Sequence, residues 1–290
     1  MPREHIERLK HTMSRDTGSG IRYTLGGGQG EQTRLHTQAE GLREHTRALL
    51  DTVDVKPGFS ALDLGCGPGG AIEILSEFVG AGGHVVGVDL DAQNVKSARA
   101  LARRRGLTNV EILRADARGT GLPRSSFDLV HVRLLLVNIA APEQVVDEMA
   151  RLVKPGGWVA VMEPDVALRV CYPSHSGLER LTEVLAAGYR RVGADINFGR
   201  RLPHLLAQAG LEKITAQARA ELCPPGHRQR AVCLDLVQNM RARILNWGLI
   251  EEAELDRLDQ EARAHLDDPD TVSLPVTYFV ASARKPTWAA

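Results

Sequence analysis

The sequence predicts an α/β fold in which parallel strands and helices alternate, followed by a helical lid. Three observations carry that prediction. Short apolar runs suited to strands take turns with helix-period stretches between residues 60 and 163. The first apolar run ends in a glycine-dense turn, Gly65-Cys66-Gly67-Pro68-Gly69-Gly70, that opens a helix. Beyond Asp165 the pattern becomes mainly helical before the last strand-like runs.

Each element has its own signal. Leu35, Leu42, Leu49 and Leu50 recur near a 3.6-residue period, which predicts a helix from about Thr33 to Val53, stopped by Lys56-Pro57-Gly58. Ser60–Leu64 reads as the first strand, with a helix running to about Val79. His84–Leu90 is the second strand, Ala92–Arg105 the helix after it, and Val110–Arg114 the third strand. A loop with Pro123 leads to a fourth strand, Phe127–Val132, and a short helix, Pro142–Leu152. Pro155-Gly156-Gly157 then turns the chain into a fifth strand, Trp158–Glu163. Such alternation implies βαβ units whose strands are apolar throughout because helices cover both faces. Further helices are expected at Ser176–Val192, Arg200–Ala209, Arg230–Leu245 and Glu251–Leu266, and strands at Lys213–Ala220 and Val272–Ala283. The stretches 166–210 and 222–267 interrupt the final strands and are expected to roof the site. Residues 1–55 read as an N-terminal segment with its helix, and residues 56–290 as one domain.

Composition narrows the function. A chain of 290 residues can bury one large core or at most two modest ones, and 43% hydrophobic with 25% charged residues is ordinary for a globular protein. Lys+Arg and Asp+Glu balance at 36 each, so no net field draws the chain to nucleic acid or anionic lipid. The runs Arg103-Arg104-Arg105 and Arg200-Arg201 read as solvated helix faces. No apolar run reaches the roughly 18 residues a membrane span needs. Pro2, Arg3, Glu4, His5 and Glu7 leave no room for a signal-peptide core. Cys66, Cys171, Cys223 and Cys233 show neither CxxC pairing nor histidines at metal spacing, so reduced thiols in a cytoplasmic protein without a metal are expected.

The strand ends carry the chemistry. Without side chains, Gly65 and Gly67 let the backbone approach a ligand and adopt positive φ, as binding of an adenosyl cofactor requires. Gly65, Gly67 and Gly70 also satisfy GxGxxG, which alone is weak and suits a dinucleotide enzyme equally. Asp89 ends the second strand, about 20 residues past the glycine turn, where a carboxylate accepts from ribose hydroxyls. Asp91 is expected to cap the next helix. Asp116 ends the third strand, where an acid can accept from an adenine amino group. Acids at three successive strand ends fall in the crevice where open α/β sheets bind ligands.

The run Asp63-Leu64-Gly65-Cys66-Gly67-Pro68-Gly69 resembles motif I of the class I S-adenosylmethionine-dependent methyltransferases. Val88-Asp89, Asp116-Ala117, Phe127-Asp128-Leu129-Val130 and Val153-Lys154-Pro155-Gly156-Gly157 fall in the order and spacing of that family's later motifs, covering about residues 60–165. The resemblance implies a Rossmann-like, mostly parallel seven-stranded sheet with an antiparallel last strand. It implies S-adenosylmethionine as cofactor and S-adenosylhomocysteine as product. Asp63, Gly65, Cys66 and Gly67 would face the methionine part, with Arg133 lining the same end. Asp89 would bind ribose with Leu90 beside it, and Asp116 with Ala117 would meet adenine. Upstream, Tyr23-Thr24-Leu25-Gly26, Glu31, Arg34-Leu35 and Gln38 resemble the N-terminal segment of a bacterial subgroup that methylates secondary metabolites. There the segment folds over the cofactor, which implies cofactor contacts for Tyr23, Arg34 and Gln38. A tyrosine beside a glycine-rich hinge suits a closing lid, and its ring could meet a sulfonium.

Methyl transfer to an acceptor is an in-line displacement that depends chiefly on alignment. A general base helps a hydroxyl nucleophile, whereas a carbon or amine nucleophile can do without one. Sugar O-methyltransferases of similar layout carry a His shortly after the fourth strand and an acid after the fifth; here those positions hold Asn138 and Glu163. Glu163 is therefore the candidate base or substrate orienter, with Asp165 its neighbour. His131 reads as a packed core residue and His84 as surface, while His175 and His204 lie in lid segments. Tyr172, Tyr189, Trp247 and Tyr278 read as packing residues. The expected function is methylation of an O, N or C atom of a small, partly apolar metabolite, with homo-oligomerisation left open. One alternative is an NAD-dependent oxidoreductase on the same glycine turn, opposed by the form of Val153–Gly157 and the roughly 60 residues before the first strand. Another is a member in which the cofactor supports a cyclisation or rearrangement, kept open by Asn138. A protein or RNA substrate is not expected, since no basic patch interleaves aromatics and lid insertions suit an enclosed pocket.

Overall fold

The computed structural model describes Leu35 and residues 38–287. A helix, α1 (Arg43–Asp51), precedes β1 (Ser60–Leu64), α2 (Ile72–Val79), β2 (His84–Asp89), α3 (Ala92–Arg104), β3 (Val110–Arg114), β4 (Phe127–Arg133), α4 (Pro142–Leu152) and β5 (Val153–Asp165). The chain continues through β6 (Val170–Tyr172), α5 (Ser176–Arg191), α6 (Leu202–Gln208), β7 (Glu212–Ala220), α7 (Val232–Asn246), α8 (Glu252–Asp267), β8 (Val272–Leu274) and β9 (Thr277–Arg284).

Seven strands form one sheet in the order β3-β2-β1-β4-β5-β9-β7. β1 pairs in parallel with β2 and β4, β2 with β3, and β4 with β5, while β9 runs antiparallel to both β5 and β7. The last strand is thus antiparallel to its neighbours, as expected. From β1 the chain builds outward to β3, then returns to lay β4 on the other side of β1. That reversal leaves a crevice at the carboxyl ends of the strands. Ala61, Leu62 and Leu64 of β1, Val85, Val86 and Val88 of β2, and Leu129, Val130 and Val132 of β4 are all fully buried. Continuous apolar strands are what a sheet covered on both faces requires.

Local chemistry sets the helix ends. Asp91 caps α3, its Oδ1 accepting from the N–H groups of Gln93 at 2.8 Å and Asn94 at 2.9 Å. The Arg103-Arg104-Arg105 run is the exposed C-terminus of that helix, where cations suit the dipole. Pro142 starts α4 at a position where its missing N–H costs nothing.

The structure differs from expectation at three places. The strand expected over Val272–Ala283 is two strands, because Pro275 supplies no N–H between β8 and β9. β8 leaves the main sheet to pair with β6, a three-residue strand that was not expected, and Ser273 also bridges to Cys223. β5 begins at Val153, and its register with β4 shifts between Phe127 and Leu129, around the Pro155-Gly156-Gly157 bulge. Within the stretch 166–210, α6 packs against β7 and β9, whereas α5 packs against α7 and α8.

Candidate active site

A cavity of about 910 Å³ opens at the carboxyl ends of the strands, across the reversal between β1 and β4. One half is bounded by the segments that follow β1, β2 and β3. The other is bounded by those that follow β4 and β5, by α5 and α7, and by Val276 and Tyr278.

In the first half the glycine turn and Asp89 form one unit. Gly65 sits at φ +70° and Gly67 at φ +55°, the left-handed region that favours glycine. A Cβ on Gly65 would lie 2.7 Å from Leu135 Cδ1. The N–H of Gly67 donates to Asp89 Oδ2 at 2.9 Å, while Asp89 Oδ1 accepts from Asp91 N–H at 2.9 Å and Asn94 Nδ2 at 3.3 Å. Burial raises the Asp89 carboxyl above the usual range, against the pull of these donors. Asp116 Oδ1 accepts from the Arg118 Nε at 3.0 Å and its Oδ2 from Nη2 at 2.5 Å, which holds that carboxyl below the usual range. Leu90, Ala117 and Arg118 line the cavity beside these acids. Arg118 was missed in the sequence, where nothing in its spacing marks it as a partner.

Asp63, Cys66 and Arg133, expected at the methionine end, all line the cavity. Asp63 is buried and its Oδ1 lies 2.7 Å from Nδ1 of His131, which is fully buried within β4. His131 is thus a core residue as expected, but a polar one with a carboxylate partner. Burial raises the Cys66 thiol well above its ordinary value, and the nearby Asp63 and Asp89 add to the effect, so the thiol stays protonated. Arg133 Nη1 donates to Thr46 Oγ1 at 2.9 Å, and desolvation lowers its guanidinium below the ordinary arginine value. Gly70 makes this packing feasible, since a Cβ there would run into Arg133 Nη2 and come within 2.6 Å of Ala39 Cβ. Gln38 lines the cavity; Tyr23 and Arg34 lie outside the described residues.

The expectation that Glu163 acts as base or substrate orienter needs correcting. Glu163 is fully buried and does not border the cavity. Its Oε1 accepts from the N–H groups of Leu135 at 2.9 Å and Leu136 at 2.8 Å, and its Oε2 from Val137 at 3.1 Å. Burial pushes its carboxyl up to about 8 in spite of those three donors. The side chain therefore caps the 3₁₀ turn Leu136–Asn138 and holds Leu135 against the glycine turn. Asn138 does border the cavity, its Nδ2 donating to Leu134 O at 3.0 Å. Asp165 is buried and bidentate with Arg200, at 2.5 and 2.8 Å, so Arg200 is tied down rather than simply solvated. His175 caps α5 and stacks on His265 at 4.8 Å, and His204 is exposed on α6; neither borders the cavity. Tyr189 and Tyr278 are buried as expected, and both also line the second half of the cavity. The remainder of that half is mostly apolar, with Val137, Ile139, Val166, Ile196, Leu236 and Val276.

Residues 62–161 match the family model of a methyltransferase domain. Over these residues the chain is similar to class I S-adenosylmethionine-dependent methyltransferases. This match resolves the two readings of the glycine turn in favour of S-adenosylmethionine over a dinucleotide. The nocamycin O-methyltransferase of Saccharothrix syringae is 36% identical to this chain over 44% of its length and 46% of that relative. An uncharacterized 37.1 kDa protein in transposon TN4556 of Streptomyces fradiae is 32% identical over 72% of the chain and 59% of that relative. The chain thus spans about half the length of these curated relatives. The phosphoethanolamine N-methyltransferase 2 of Haemonchus contortus, solved with S-adenosylhomocysteine, shares the fold at a TM-score of 0.54 and 19% identity, over 84% of this chain and 53% of that one. The site fits S-adenosylmethionine on its own chemistry. Positive-φ glycines clear a backbone cradle, acids stand at the ends of β2 and β3, and the Arg133 cation borders the cavity.

Proposed function

We propose that this chain transfers the methyl group of S-adenosylmethionine to a small, largely apolar acceptor in secondary metabolism. One observation carries the reading: a single cavity joins a half lined by acids and glycines to a half lined by apolar side chains. In this reading Asp89 binds ribose with Leu90 alongside, and Asp116, steadied by Arg118, meets adenine with Ala117. Asp63, Gly65, Cys66, Gly67 and Arg133 hold the methionine end. When bound, S-adenosylmethionine supplies a methyl group already activated on sulfur. The chain contributes alignment and exclusion of water. Glu163 enters as a positioning residue, since its three backbone bonds shape the wall between the two halves. Asn138 stands where an acceptor's polar group would be oriented.

Residues 1–55 fold over the cofactor in this proposal, with Tyr23, Arg34 and Gln38 on it, and α5 and α7 roof the acceptor. The O-methylating relative favours a secondary metabolite as substrate. Four free cysteines accord with a reducing, cytoplasmic setting. Incubation with S-adenosylmethionine and a panel of apolar metabolites, read by mass spectrometry, tests the reading. Methylated product together with S-adenosylhomocysteine supports it; a protein that binds S-adenosylhomocysteine yet methylates none of the panel contradicts it.

A further inference from the structure

The acceptor half is where a proton-accepting side chain would have to stand. Among its described residues the polar side chains are the amide of Asn138 and the phenols of Tyr189 and Tyr278, and none is a carboxylate, histidine or lysine. An amide is not a base, and a phenol with an ordinary pKa near 10 is protonated at neutral pH. The acids at the end of β5 are already engaged: Glu163 with three backbone N–H groups and Asp165 with Arg200. Asp63 faces the methionine end and is paired with His131. Its described residues also include no carboxylate that would offset an ammonium group, and Arg133 adds positive charge at its border. Among the described residues a cationic amine is therefore disfavoured there, and an aliphatic alcohol finds no group to take its proton.

We infer that the acceptor brings its own acidity: an apolar molecule carrying a phenol, enol or carboxylic acid that is ionised in water before transfer. The inference rests on the methyl-transfer reading above. The step balances without a protein base. The O–H proton has already gone to solvent, an oxygen lone pair forms the new C–O bond, and the S–C bond breaks with its electron pair kept by sulfur. The negative oxygen and positive sulfur neutralise each other, leaving an ether or ester and a thioether.

The test begins with calorimetric binding of S-adenosylhomocysteine, whose absence would remove the methyltransferase reading itself. With binding established, kcat/KM is measured against pH for para-substituted phenols of graded acidity and for benzyl alcohol and 2-phenylethanol. Because kcat/KM reports ionisations of free enzyme and free acceptor, its rising limb should move with each phenol's own pKa. The two alcohols, lacking a base, should react about a hundredfold more slowly or worse. A limb fixed at one pH across the series would reveal a protein base and overturn the inference. So would alcohols methylated as fast as phenols, or no transfer to any acidic acceptor.

Discussion

Asp89 illustrates how one side chain serves structure and ligand together. Its two oxygens tie Gly67, Asp91 and Asn94 to the tip of β2 while the carboxylate borders the cavity. With Asp89 on ribose, Asp89→Ala takes a charged acceptor from the ribose hydroxyls, an effect of about 1.5–3 kcal/mol, or roughly ten- to a hundredfold in the S-adenosylhomocysteine Kd measured by calorimetry. Glu163 gives a contrasting prediction. Glu163→Ala strands three backbone N–H groups, two of them buried, and should cost about 3 kcal/mol or more of stability. Glu163→Gln keeps one acceptor oxygen and should cost less. Its carboxyl stands at about 8 in the fold against 4.5 without it, so the native state binds the proton more tightly. The stability this contributes is complete below about 4.5 and is lost as pH rises toward 8. The Tm of the unaltered protein minus that of Glu163→Gln should therefore fall between these pH values in a series of thermal melts. The acids at the strand ends were legible because pattern and position coincide at Asp89 and Asp116. The role of Glu163 was not, because its partners lie 26 to 28 residues earlier and only β4–β5 pairing brings them together.

At the scale of elements, two glycines separate site from scaffold. A Cβ at Gly83 would lie 2.5 Å from Val79 O and 2.7 Å from Phe59 O, backbone atoms that cannot step aside. Gly83→Ala should lower stability by about 1–3 kcal/mol, as overpacking does, and leave cofactor affinity unchanged. Gly70→Ala presses instead on Arg133 and Ala39 at the cavity wall, so its effect should fall on S-adenosylhomocysteine affinity, with little change in Tm. Thermal melts and calorimetry on both variants check the pair. The strands β1 to β4 were readable from apolar runs bounded by turn residues. β6 and β8 were not, since three residues carry no periodicity and each is stabilised by the other across a long stretch of chain. Arg200–Ala209, expected as lid, holds α6, which packs on β7 and β9; its helical period fits either position equally.

For the molecule as a whole, the division of the cavity is the feature that matters for function. Leu236 on α7 belongs to the apolar half, whereas the segments that follow β1 to β3 line the other. Leu236→Glu should leave S-adenosylhomocysteine binding within about twofold and abolish methylation of apolar acceptors, because an unpaired charge there is costly to desolvate. The cofactor half could be read from motifs because every such site must present the same groups to the same molecule. The acceptor half could not, because its character is set by side chains from α5, α7 and β9 that meet only in the folded chain. The most direct measurement is calorimetric titration of the full chain with S-adenosylhomocysteine and, separately, with NADH. Micromolar binding of the first that collapses in Asp89→Ala, with no binding of the second, is the expected result. Preference for NADH, or S-adenosylhomocysteine binding indifferent to Asp89, would contradict the assignment of this cavity.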